Sequence, residues 1–214
     1  MPFGLTNAPA TFQCLMNDLF RPFLRKFILV FFDDILVYSK SLTEHAEHLS
    51  IVLGILESNH LYAKQSKCCF GVTQVHYLGH LISADGVAVE PDKVQSVLAW
   101  PTPTNAKGVR AFLGLAGYYC KFIKGFGGIA APLHKLVGKG PFVWDEAAEA
   151  SFKALKKALT TTPTLGLPDW SKPFTVECDA SGVGIGAVLT QHGRPLAYFS
   201  SPIKGTTLSW STYE

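Results

Sequence analysis

The sequence predicts an α+β fold, in which strand patterns and amphipathic helix patterns occupy separate stretches of the chain. Residues 27–39 form an apolar, β-branched and aromatic run broken by Asp33 and Asp34, which is typical of two buried strands meeting at a turn. Apolar and polar residues alternate from Phe174 to Asp179, as on a strand with two unlike faces. With 214 residues and 48% hydrophobic content, the chain can bury the core of one or two domains.

The two adjacent carboxylates in the first run have two interpretations. An acidic hairpin turn is one, but a tight two-residue turn needs positive φ at both central positions, so Asp-Asp suits it poorly. Two charges at the edge of an apolar sheet are costly unless a cation compensates, and the nearest basic residues in sequence are Lys26 and Lys40. A hard divalent cation binds carboxylates together with substrate phosphates. The pattern therefore favours a metal site.

Two helices are predicted around this hairpin. The first covers residues 8–20 with Asn7 as its cap, and the second begins near Thr43. Their expected buried stripes are Phe12, Leu15, Met16 and Leu19 in the first, and Leu49, Val52, Leu53 and Leu56 in the second. His45 and His48 fall on the opposite face of the second helix, which we expect to be exposed, because no third metal ligand stands at a suitable spacing.

The rest of the chain predicts further strands and helices. Residues 74–83 indicate two short strands around Gly79, followed by a turn at 84–86. Helices are expected from Pro91, from Asn105 and after the cap Asp145. Residues 167–173 are typical of a linker, and three strands are expected at 174–179, 182–190 and 195–200.

Charge is unevenly distributed, although the net charge is only +3. No Asp or Glu occurs between Pro101 and Gly140, a stretch that contains Lys107, Arg110, Lys121, Lys124, Lys135 and Lys139. Such a one-signed stretch favours a polyanionic partner, and an ordinary solvated basic face is the alternative.

The five cysteines form neither a disulfide framework nor a zinc pattern, which fits a reducing compartment. The sequence has no apolar stretch long enough to span a membrane and no signal-peptide pattern at its start. We therefore expect an intracellular protein without a membrane partner.

Four motifs carry a resemblance to a known family. Phe31-Phe32-Asp33-Asp34 resembles the catalytic hairpin of reverse transcriptases, and residues 1–13 resemble the nucleotide-site segment of gypsy-type long-terminal-repeat retrotransposon polymerases. Tyr77-Leu78-Gly79-His80 resembles their primer-grip turn. Residues 178–181 and 184–189 resemble the start of their ribonuclease H domain. The motifs follow the family's order and cover nearly the whole chain.

The resemblance implies a domain organisation. Residues 1–83 would be a partial polymerase palm, 84–140 a thumb-like helical region, 141–173 a connection, and 174–214 the N-terminal part of a ribonuclease H-like α/β domain. Because Met1 falls inside a motif, we expect the chain to be a piece of a longer protein. The family's upstream aspartate strand and fingers would then precede Met1.

The resemblance also implies roles for individual residues. Asp33 and Asp34 would be catalytic ligands of Mg²⁺, or Mn²⁺, in two-metal nucleotidyl transfer, with Asp33 the stronger candidate. Asp179 would be the first metal ligand of the nuclease, whereas Glu214 is not the expected catalytic glutamate. The implied nucleotide-binding residues are Phe3, Gly4, Phe31 and Lys67, with Lys64 as the alternative to Lys67. The implied nucleic-acid contacts are Tyr77, Leu78 and Gly79 at the primer grip and Lys107, Arg110, Lys121 and Lys124 on the thumb, where Cys120 replaces a frequent arginine.

The implied activity is that of an RNA-directed DNA polymerase with ribonuclease H activity. Its partners would be an RNA template, a DNA primer, RNA–DNA hybrid and deoxynucleoside triphosphates, in a cytoplasmic particle or the nucleus. We expect the isolated chain to be inactive, since each site needs carboxylates from further elements. The alternative is a decayed or co-opted fragment that binds nucleic acid without sequence preference.

Overall fold

The chain divides into two compact units, Met1–Tyr77 and Leu78–Glu214, in a computed structural model that describes residues 7–138, 140–182 and 184–203. Helices and antiparallel strands form separate runs along the chain, with helices over residues 91–160 and strands over residues 175–202, so the predicted α+β class is confirmed. The four-part division at residues 83, 140 and 173 concerns functional regions and stays a prediction. None of the described helices is long and apolar enough to cross a membrane.

The first unit packs two helices against a hairpin. Its elements are α1 (Ala8–Phe20), β1 (Ile28–Phe31), β2 (Asp34–Val37), α2 (Leu42–Ser58), a 3₁₀ turn (Gln65–Lys67) and β3 (Gln74–Tyr77). The core consists of Met16, Phe20, Phe27, Ile28, Val52 and Leu56. The predicted stripes are therefore partly wrong, because Leu15 and Leu53 are exposed while Phe20 is fully buried.

Helix α2 begins at a cap that differs from the predicted one. The Ser41 hydroxyl, rather than that of Thr43, accepts from the Glu44 N–H at 3.2 Å. The Glu44 carboxylate in turn accepts from the Lys40 N–H at 2.7 Å. Two backbone donors at the start of the helix are thus satisfied by one short reciprocal motif.

The second unit contains four helices and two sheets among its described residues. The helices are α3 (Pro91–Leu98), α4 (Ala106–Tyr118), α5 (Phe126–Leu136) and α6 (Glu146–Thr160). The strands are β4 (His80–Ser83), β5 (Gly86–Val89), β6 (Thr175–Ser181), β7 (Gly184–Gln191) and β8 (Arg194–Pro202). Asp145 caps α6 as predicted, since its carboxylate accepts from the Ala148 N–H at 2.8 Å.

One hydrophobic core joins the parts of the second unit. Aromatic side chains of α4 and α6 meet where the Phe112 and Phe152 ring centroids lie 4.6 Å apart. Helix α5 packs on β8, and the Gly127 N–H donates to the Ser200 hydroxyl at 2.7 Å. A β-bridge between Val87 and Leu165 links the β4–β5 hairpin to the segment after α6. These regions therefore form one folded body.

The second unit contains two elements, β5 and α5, that the sequence patterns did not predict. Strand β5 follows the predicted turn at 84–86, and α5 was not predicted at all. In α4, a Cβ added at Gly108 would lie 3.3 Å from the Cβ of Pro103, whereas no atom lies within 4 Å of one added at Gly114 or Gly117. The two positions face open space instead.

Candidate functional site

The acidic hairpin has its turn one residue earlier than an Asp-Asp turn would place it. Antiparallel β1 and β2 pair from Ile28 with Val37 to Phe31 with Asp34, so the turn consists of Phe32 and Asp33. Phe32 takes the left-handed conformation, with φ at 50°. Asp33 and Asp34 are both exposed. The tip of the hairpin therefore presents both carboxylates outside the packed core of the unit.

Gln13 of α1 stabilises this turn through hydrogen bonds of both its side-chain oxygen and its side-chain nitrogen. Its Oε1 accepts from the Phe32 N–H, and its Nε2 donates to the Val30 carbonyl at 3.3 Å and to the Asn17 side chain at 2.9 Å. A positive φ at a bulky residue is costly and persists only where surrounding contacts enforce it. Gln13 lies in the quoted nucleotide-site motif, but nothing in the sequence indicated that it holds the hairpin.

The carboxylates of the hairpin suit a hard divalent cation chemically. Asp33 and Asp34 are consecutive oxygen donors, and an exposed turn leaves room for water or phosphate to complete the coordination. In the described residues no group of three or more His, Cys, Asp or Glu is placed to hold a metal ion. The two aspartates fit as part of a ligand shell, and further ligands have to come from substrate, water or other residues.

The negative charge of Asp34 acts on Tyr77, the last residue of the first unit. Burial raises the pKa of the Tyr77 hydroxyl, and the negative charge of Asp34 raises that pKa further. Both effects favour the neutral hydroxyl beside the acidic hairpin.

The predicted nucleotide-binding residues are only partly described. Phe3 and Gly4 lie outside the described residues. The Phe31 side chain is 47% exposed and meets the Phe32 ring edge to face at 4.7 Å between centroids. Lys67 lies in an exposed 3₁₀ turn, and Lys64 is exposed beside it.

Leu78 and Gly79, the predicted primer-grip turn, begin the second unit. Their φ values are 49° and 72°, the dihedral pattern of a tight two-residue hairpin turn. Their carbonyl oxygens accept hydrogen bonds from the hydroxyls of Tyr118 and Tyr119, two residues that lie outside the four sequence motifs. The sequence did offer one signal for these contacts, because two adjacent tyrosines, each with a hydroxyl group, stand at the end of α4.

The basic residues of the second unit differ in the contacts that their charged groups make. Lys107 and Arg110 share an exposed face of α4 with Gly114 and Gly117, since these positions repeat at three- and four-residue spacing. Arg110 also donates to the Val137 carbonyl at 3.3 Å. Burial lowers the pKa of Lys121, whose amino group lies 5.3 Å from the Phe122 ring centroid. Lys124 is exposed.

Asp179 lies on β6 in the second unit. Glu177 and Asp179 share one face of the strand, as predicted, and Asp179 pairs with Gly186 of β7. Because glycine has no side chain, the space opposite Asp179 is open. Among the described strands, the order β6-β7-β8 places β6 at an edge of its sheet.

The two histidines of α2 do not lie on a fully exposed face. The Ser39 hydroxyl contacts Nδ1 of His48 at 2.7 Å and Nδ1 of His45 at 3.2 Å. The His48 ring stacks on Phe27 with centroids 3.7 Å apart. His48 therefore packs against the core, and both histidines are tied to Ser39 after β2.

Two family models match the sequence. Residues 1–82 match "Reverse transcriptase (RNA-dependent DNA polymerase)", and residues 144–214 match "RNase H-like domain found in reverse transcriptase".

Relatives and solved structures match the chain over its whole length. It is 41% identical to the retrovirus-related Pol polyprotein from transposon 297 and 35% identical to that from transposon gypsy, both of Drosophila melanogaster, over 100% of the chain. The match spans 20% and 22% of those polyproteins, about a fifth of their length. The foamy viral protease-reverse transcriptase in complex with RNA/DNA hybrid has a similar fold, with a TM-score of 0.88 and 24% identity over 100% of this chain and 30% of that one.

Proposed function

Since the chain belongs to the reverse transcriptase family and carries the RNase H-like domain of that family toward its C-terminal end, we propose that it is part of a retrotransposon RNA-directed DNA polymerase with ribonuclease H activity. One observation carries the polymerase assignment. Asp33 in the turn and Asp34 at the start of β2 are consecutive, exposed carboxylates at the tip of a hairpin whose turn is held by Gln13.

Asp33 and Asp34 would hold Mg²⁺, with Mn²⁺ as a possible substitute, together with phosphate oxygens of the bound nucleotide. The metal would supply charge stabilisation and activation of the attacking hydroxyl. The protein's own contribution is to hold both carboxylates at a fixed turn, so that little reorganisation is needed when the charged substrate binds. Phe31 and Lys67, with Phe3 and Gly4, are the proposed nucleotide-binding residues.

The proposed nucleic-acid partners are an RNA template, a DNA primer and RNA–DNA hybrid. Lys107, Arg110 and Lys124 are exposed, and the open face at Gly114 and Gly117 lets a duplex approach the backbone of α4. Contacts to backbone phosphates give affinity without sequence preference. Lys121 is exposed as well, although partial burial of its amino group lowers its pKa.

Asp179 is the proposed first metal ligand of the nuclease. Its place on β6, opposite Gly186, leaves room for a phosphate to approach, which supports the role. With RNA and deoxynucleoside triphosphates as substrates, the protein would act inside the cell, in a cytoplasmic particle or the nucleus.

The polymerase proposal is tested in the full polyprotein that contains this chain. Asp33→Asn should reduce primer extension by several orders of magnitude, because an anionic ligand is lost while the side chain keeps its size. Asp34→Asn should cost less. Asp92→Asn, at an exposed aspartate of α3, is the matched control and should extend primers at the wild-type rate. Wild-type extension by the Asp33→Asn polymerase would remove the proposal.

A further inference from the structure

The end of α4 holds the Leu78–Gly79 turn through two neighbouring phenols. The Tyr118 hydroxyl donates to the Leu78 carbonyl at 2.7 Å, and the Tyr119 hydroxyl donates to the Gly79 carbonyl at 2.9 Å. The two tyrosine rings meet edge to face, with centroids 4.9 Å apart. Each carbonyl of this two-residue turn therefore has its own hydroxyl donor from one helix end.

This turn needs external support. Leu78 is a non-glycine residue at a φ of 49°, a left-handed conformation that is strained for a bulky side chain. Further donors converge on the same two oxygens, since Nδ1 of His80 lies 2.8 Å from the Leu78 carbonyl and the Glu90 N–H donates to the Gly79 carbonyl at 3.2 Å. The position of both carbonyls is thus set by a network rather than by the local sequence.

The approach of α4 to the turn is too close for a side chain at position 79. A Cβ added at Gly79 would lie 2.7 Å from the Tyr119 hydroxyl oxygen. Tyr119 is 1% exposed, whereas Tyr118 is 52% exposed. One phenol is therefore part of the core and the other covers the turn at the surface.

We propose that Tyr118 and Tyr119 are positioning residues that set the Leu78–Gly79 turn for the primer terminus. The inference rests on the proposed function, in which this turn contacts the primer. Helix α4 also carries Lys107 and Arg110, the proposed phosphate contacts. The element that binds the duplex is thus the element that holds the turn, and a duplex seated on α4 has its terminal nucleotide presented to a turn of fixed shape.

The two roles of α4 predict separable effects. Tyr→Phe removes a hydroxyl and keeps the ring packing, so the phosphate contacts that supply affinity are unchanged. A displaced turn misplaces the primer terminus, and small misplacements of reacting groups are costly in rate. Duplex affinity should therefore stay constant while extension slows.

Two measurements test this in the full polyprotein and in the chain. In the polyprotein, Tyr118→Phe and Tyr119→Phe should each lower the single-turnover extension rate about tenfold, with the duplex Kd changed less than about twofold. In the chain, hydrogen exchange of the Glu90 amide, which shares the Gly79 carbonyl, should accelerate in Tyr119→Phe. Tyr62→Phe, at a tyrosine that is 91% exposed, is the matched control for both measurements.

Wild-type extension by both variants would overturn the inference. So would a loss of affinity equal to the loss of rate, because that result would indicate general damage to α4. Neither outcome contradicts the proposed function, which is tested separately by the Asp33→Asn substitution. If that substitution alone leaves extension intact, the proposed function fails independently of the tyrosines.

Discussion

Removal of the Gln13 side-chain amide should loosen the acidic turn without unfolding the first unit. In Gln13→Leu, the Phe32 N–H loses its acceptor and the Val30 carbonyl loses a donor, while the side chain keeps a similar volume. Each such hydrogen bond contributes about 1 kcal/mol net. The loss of about 1–2 kcal/mol should therefore favour local opening of the turn by roughly tenfold or more.

Amide hydrogen exchange of Phe32 measures this opening directly. The Phe32 amide should exchange about ten times faster in Gln13→Leu than in the wild type. The amide of Leu36, within β2, is an internal reference and should change little. Gln13→Glu keeps an acceptor oxygen and should retain most of the protection of the Phe32 amide. Equal exchange of that amide in the wild type and Gln13→Leu would refute the claim that Gln13 holds the turn.

Three further predictions concern the second unit. Lys107→Ala should reduce the slope of log K against log salt for duplex binding by about one, since one phosphate contact is lost, and an unchanged slope would exclude that contact. Burial raises the pKa of Tyr119 to about 12, so the stability that its neutral phenol contributes should be complete below pH 10 and decline as pH rises toward 12. Alkaline unfolding of Tyr119→Phe should lack that decline. Gly86→Ala should cost at least about 2 kcal/mol in urea unfolding, because φ is +136° and the new Cβ would lie 2.0 Å from the Leu165 carbonyl oxygen. Gly114→Ala, in open space on a helix, is its control and should stabilise by up to about 1 kcal/mol.

Sequence patterns predicted the elements whose signals are local. The helix after Asp145 was predicted with its cap, because a capping aspartate, an amphipathic stripe and the charge order of its ends all agree. The hairpin was predicted because its strands are continuous apolar runs, and the strand alternation correctly placed Glu177 and Asp179 on one face. These features depend on residues close together in the chain.

The features that the sequence did not reveal depend on distant contacts. Helix α5 contains two glycines and Pro132, a composition that disfavours a helix, and it forms because packing against α6 and β8 compensates. The hairpin turn lies at Phe32 because Gln13, on another element, stabilises a positive φ there. The tyrosine support of Leu78 joins residues forty positions apart. No local periodicity encodes such pairings.

The packing of α5 on β8 also limits how the coding sequence of this region can recombine between related retrotransposons. A Cβ at position 127 would lie 3.2 Å from the Ser200 carbonyl oxygen. The residues of α5 and those of β8, which lie on either side of the linker, therefore have to be complementary in shape. A crossover within 141–173 would combine a helix from one parent with a strand from another and split a shared core. Viable recombinants should therefore inherit residues 78–203 together, and the RNase H-like region should share its ancestry with the helices that precede it.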